Sequence, residues 1–109
     1  MHLQKRFSDQ ELGQIVEEAT IYMCACPGQV AVQLRALREL HRYQGDCEIE
    51  PGNDVAVHRA IAEATMQAHA LMEDCMERVL AIEGWDRTTL KMPEGLRRKR
   101  NEMIERDDY

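Results

Sequence analysis

The sequence predicts an all-α protein. Apolar residues recur at spacings of three and four along most of the chain, Pro and Gly stand at a few separated points, and no strand-like alternation persists. The expected architecture is an antiparallel bundle of three main helices, the third long, plus a short C-terminal helix, over approximate spans 9–26, 29–44, 54–83 and 94–106. A chain of 109 residues, 44% of them apolar, has the material for one modest core, so residues 1–109 are expected to form a single domain.

The first helix opens at Ser8-Asp9-Gln10-Glu11, the Ser-x-x-Glu form of a capping box. Leu12, Ile15, Val16, Ala19, Met23 and Cys26 then share one face. Pro27-Gly28 is expected to break it, because proline lacks an N–H and its ring clashes with the preceding turn. Helix 2 should carry Val30, Leu34, Leu37 and His41 inward, with Arg35, Arg38, Glu39 and Arg42 mostly outside, and end at Gly45. Residues 45–53 read as a loop, and Asn53 or Asp54 as the cap of helix 3. Helix 3 should bury Val57, Ile61, Ala64, Ala68, Leu71, Cys75, Val79 and Ile82 and stop at Gly84. Pro93 suits the first turn of the last helix, whose apolar face is limited to Leu96, Met103 and Ile104.

Lengths add a constraint. At about 1.5 Å per residue, helices 1 and 2 each span roughly 25 Å and helix 3 about 45 Å. Helix 3 therefore overhangs its partners with Val79, Leu80 and Ile82, which the segment around Trp85 or a second copy of the chain must cover. A homodimer, or another protein partner, held through Val79, Leu80, Ile82 and Trp85 is the expected association.

The same layout brings Cys24, Cys26 and Cys75 to one end of the bundle, with His69 near them and Cys47 in the opposite loop. Three thiolates and an imidazole make a closed tetrahedral site for zinc, and thiolate with thioether suits copper(I); iron is a further soft-metal candidate. On this reading Cys24, Cys26, Cys75 and His69 are the metal ligands, and zinc or copper is the cofactor. Ordinary core cysteines in an interaction module form the alternative. A second alternative is thiol redox chemistry: Cys26 at the start of helix 2 feels the positive end of its dipole, and Cys24 stands ready to resolve it.

Other patterns exclude more than they offer. Asp46-x-Glu48-x-Glu50 has the acidic spacing of a calcium loop, but Pro51 stands where the glycine belongs and Val57 where the bidentate Glu belongs. His41 reads as a core histidine and His58 as a solvated edge residue. No metalloprotease, serine-hydrolase or phosphate-loop motif is present, and no carboxylate pair is expected to be buried, so the chain is not expected to be an enzyme. Residues 1–85 hold seven Lys and Arg against fourteen Asp and Glu, an acidic body that disfavours nucleic acid and anionic membrane. Arg97 to Arg100 spread around a helix among Glu94, Glu102 and Glu105, as a solvated face does. Nothing in residues 1–20 resembles a signal peptide, and no apolar run approaches the roughly 20 residues of a membrane span. With four cysteines and no export signal, a cytoplasmic protein with reduced thiols is expected.

Overall fold

A computed structural model of the chain describes residues 3–21, 26–48, 52, 54–95 and 102. It is all-helical: α1 (Asp9–Ile21), α2 (Cys26–Glu48) and α3 (Val55–Glu83) pack against one another, α2 touching both α1 and α3, and no strand occurs among the described residues. Of the expected last helix, only Glu94, Gly95 and Glu102 lie within the described residues, and these three are helical.

Local chemistry sets the ends as the sequence implies. The Ser8 N–H donates to Glu11 Oε1 at 2.9 Å while the Glu11 N–H donates to Ser8 Oγ at 3.0 Å, closing the capping box. Asp54 caps α3 by accepting from the Ala56 and Val57 N–H groups. Gly84, at φ 77°, takes the left-handed conformation that ends α3. Its N–H donates to the Ala81 carbonyl, and the Trp85 N–H reaches back to Leu80 at 2.9 Å. Leu80 and Trp85 both enter the core, so the cap also aims the chain into the interior.

Two boundaries differ from expectation. Pro27-Gly28 does not precede helix 2 but sits in its first turn, where proline costs nothing because the N–H it lacks has no intrahelical partner there. Gly45 does not end α2, which continues to Glu48; a single glycine in an exposed last turn costs only about 1 kcal/mol.

The core draws Leu12, Ile15 and Ala19 from α1, Ala31 and Leu34 from α2, and Met76 and Leu80 from α3. Phe7 closes it from the N-terminal side, and Trp85, Leu90 and Met92 fold back from the far end of α3. The return segment is held by an Asp86 turn. The Asp86 carboxylate accepts from the Thr88 and Thr89 N–H groups at 2.8 and 2.9 Å, and these bonds hold its carboxyl below the ordinary carboxylate value. Leu90 pays a backbone cost, with φ at 58°, to bury its side chain completely.

The largest correction concerns α3. The buried residues are Ala62, Thr65, His69, Glu73, Met76 and Leu80, not the more apolar stripe that periodicity selects. Val57, Ile61, Leu71 and Ile82 are exposed instead. At 100° per residue the two stripes are centred about 120° apart on the helix.

A close approach of α1 and α2 supplies a test of this packing. A Cβ at Gly28 would lie 2.7 Å from the Ala19 Cβ. Gly28→Ala is expected to lower stability by about 1–3 kcal/mol through overpacking, despite its better helix propensity. Chemical denaturation that shows a stabilised variant instead would mean that the two helices are further apart.

Candidate functional site

The cysteines expected to ligate metal are distributed over different surroundings. Cys26 opens α2 and is exposed, and Cys24 lies outside the described residues. Cys75 is half-buried on the outer side of α3, lining a surface depression with Leu71, Val79 and Ile82. His69 faces inward, where its Nε2 accepts a hydrogen bond from Arg38 Nε at 3.0 Å. The imidazole is thus brought to Arg38, on a different face of α3 from Cys75. Among the described residues no group of three or more His, Cys, Asp or Glu is arranged to hold a metal ion. Cys47 pairs with Tyr43 one turn earlier, and that bond raises the Tyr43 hydroxyl above its ordinary value.

Among the described residues a dense polar cluster surrounds Arg38, which sequence patterning places outside and the structure buries. Its guanidinium donates through Nη1 to Asp9 Oδ1 at 2.6 Å. Nη2 donates to the Phe7 carbonyl at 2.7 Å and to Glu73 Oε1 at 2.8 Å. With the bond to His69, one side chain ties the N-terminal segment, α1 and α3 to α2. Glu73 is fully buried, and its Oε2 has no hydrogen-bond partner. Burial, followed by the positive charge of Arg38, pushes the His69 pKa down to about 4. The ring is therefore neutral near pH 7, carrying its proton on Nδ1 while Nε2 accepts from Arg38. The Arg38 bond also holds the Asp9 carboxyl below its ordinary value.

Two carboxylates, Glu73 and Glu18, are buried, each on its own and not as a pair. The two serve different partners. Glu18 accepts from the Met92 N–H at 3.1 Å and faces Lys91 at 3.5 Å, latching the return segment to α1. His58, expected at a solvated edge, is half-buried with Nδ1 at 2.7 Å from Gln44 Oε1. The sequence did carry one signal for the inner face: His69 and Glu73 stand one turn apart in line with Ala62, Met76 and Leu80. Through its four bonds Arg38 clamps the N-terminal segment, α1 and α3 to α2.

The outer side of α3 is the better candidate for contact with another molecule. Leu71 is 70% exposed and Ile82 79% exposed, and both line a depression of about 670 Å³ with Cys75 and Val79. Arg6 and Asp74 form an ion pair of 2.5 Å on its rim. Of the four residues expected to mediate association, Val79 and Ile82 lie on this surface. Leu80 and Trp85 belong to the chain's own core, 2% and 6% exposed, because the αL stop at Gly84 turns Trp85 inward. No family model, curated protein or solved structure matches the chain. No described helix is long and apolar enough to cross a membrane.

Removing the clamp cation leaves the buried Glu73 carboxyl without its ionic partner. Arg38→Met is expected to cost about 3–5 kcal/mol, and adding Glu73→Leu to recover most of it. Denaturation of both variants checks this; a mild single variant would show that water reaches Glu73. The pH dependence has a defined sign. His69 titrates near 4 folded and near 6.5 unfolded, so the unfolded chain binds more protons and stability falls as pH drops through that window. Asp9, lowered in the fold, withdraws its contribution at still lower pH, below 3.8. In His69→Gln, which keeps an acceptor for Arg38, the loss of stability between about pH 6.5 and 4 should shrink; an unchanged slope would place its origin elsewhere.

Proposed function

We propose that this chain is a non-enzymatic association module, a small helical scaffold that presents the outer side of α3 to another protein helix. In this reading the helices run antiparallel. Gln44 meets His58 near the connecting loop, and Arg38, further from the loop, meets His69 and Glu73, which supports that course for α2 and α3.

The observation that carries the reading is the exposure of Leu71 and Ile82. They belong to a stripe with Val57, Ile61, Ala64, Ala68, Cys75 and Val79 that extends about 38 Å along the helix. Scattered surface aliphatics are ordinary, but a continuous stripe of this length marks a contact surface. Each large aliphatic side chain gains about 1.5–3 kcal/mol on full burial. Ala60, Ala64 and Ala68 add a reason for a helix as partner, because small side chains let two helix axes come close.

Photo-crosslinking in cells that produce the protein tests this. A photoreactive amino acid at position 71 or 82 should yield intermolecular adducts, and the same probe at Ala70, on the polar side, should not. Equal yields from both sides, or no adduct at either apolar position, would overturn the association reading.

A further inference from the structure

We infer that the occupant of the α3 stripe is a second copy of this chain, with the two α3 helices antiparallel about a two-fold axis passing between His69 and Ala70. The inference rests on the association reading above and specifies its partner. Residues 57, 61, 64, 68, 71, 75, 78 and 82 follow one another in alternating steps of four and three, the spacing of a helix–helix seam. Reversed on itself about that axis, the stripe is self-complementary. Val57 meets the partner's Ile82, Ala64 meets the partner's Cys75, and Ala68 meets the partner's Leu71. Each alanine thus faces a larger side chain, so the layers fill without gaps or clashes. A slip of seven residues either way strands Val57 or Ile82 in solvent.

The one charged residue in the seam supports the same register. Arg78 falls opposite the partner's Ile61, over which its aliphatic stem can lie with the guanidinium at the edge. The partner's Glu63 lies about 3 Å further along the axis and a helix width, about 10 Å, across it, on the same side of the pair and within reach of the long Arg78 side chain. Neither Glu63 nor Arg78 forms an ion pair among the described residues, and the two-fold axis supplies each with the other, making two symmetry-related pairs in the dimer. A parallel pair would set Arg78 against the partner's Arg78 and Ala64 against the partner's Ala64, combining like charges with a void.

The experiment uses the full chain. Sedimentation equilibrium at micromolar concentrations should show a dimer, and Leu71→Asp should weaken it by about a hundredfold or more, since each substitution is made twice across the axis. Leu71 is 70% exposed in the single chain, so the variant should keep its helix content. Arg78→Glu should weaken the dimer and Glu63→Arg in the same chain restore it. For the register, Cys75 is kept, the other three cysteines are changed to Ser, and a thiol is introduced by Ala64→Cys or Ala70→Cys. A short thiol-bridging reagent should join position 64 to the partner's Cys75 and leave the Ala70→Cys chain unbridged.

Bridging of two Cys75 thiols without any introduced thiol would mean parallel helices and overturn the inference. A dimer indifferent to Leu71→Asp would place the contact on another face, with the same result. A chain that stays monomeric overturns the second copy as occupant. If position 71 still crosslinks to a different protein in cells, the association reading survives with another partner. If it crosslinks only within its own chain, to residues 96–109, both readings fail.

Discussion

The buried guanidinium of Arg38 is the interaction on which the rest of the structure depends. It is donated by the middle of α2 and accepted by the Phe7 carbonyl, by Asp9 at the start of α1, and by His69 and Glu73 on α3. Hydrophobic burial alone is non-directional and leaves the rotation of a long helix about its axis weakly fixed. A planar cation with donors at set angles is directional, and it accepts one rotation of α3. Buried ionic groups contribute little net stability, and here the gain is in selecting one arrangement among several that bury similar apolar area.

That selection explains which parts of the fold are legible in the sequence. Ser8, Glu11, Asp54 and Gly84 act within one turn of their own positions, so the residue type states the structure. Pro27 is ambiguous by nature, because the same missing N–H that stops one helix suits the first turn of the next. The face of α3 is not legible in its own pattern. The outer stripe carries more apolar carbon, yet the inner one wins because His69 and Glu73 find Arg38 there and Met76 and Leu80 join Leu34 and Ile15. The partner of a buried charge lies 31 to 35 residues away, and one-dimensional periodicity holds no information about it.

The expected thiol site depended on the same choice. Placing Cys75 inward would have turned it towards the Pro27 end of the bundle; with Arg38 drawing His69 inward, Cys75 goes to the outer side and joins Leu71 and Ile82. The expected overhang at the end of α3 has likewise divided in two. Leu80 is covered by the chain itself through Trp85, Leu90 and Met92, while Ile82 stays outside. Stability and surface chemistry thereby occupy separate faces of one helix, and either can change by substitution without disturbing the other.

The return segment imposes an order on synthesis. Arg87 stacks over the Phe7 ring at 4.1 Å and donates to the Arg6 carbonyl across 81 residues of chain, and Glu18 waits for the Met92 N–H. A nascent chain grows by about 5–20 residues per second, so α1 leaves the ribosome seconds before the groups that cover it. The pairing of α2 with α3 joins neighbours in sequence and forms at low contact order, whereas the α1 end of the core is closed last. Until residue 92 has emerged, Leu12 and Ile15 remain open on one side, and in that interval the young polypeptide is most exposed to chaperones and to aggregation.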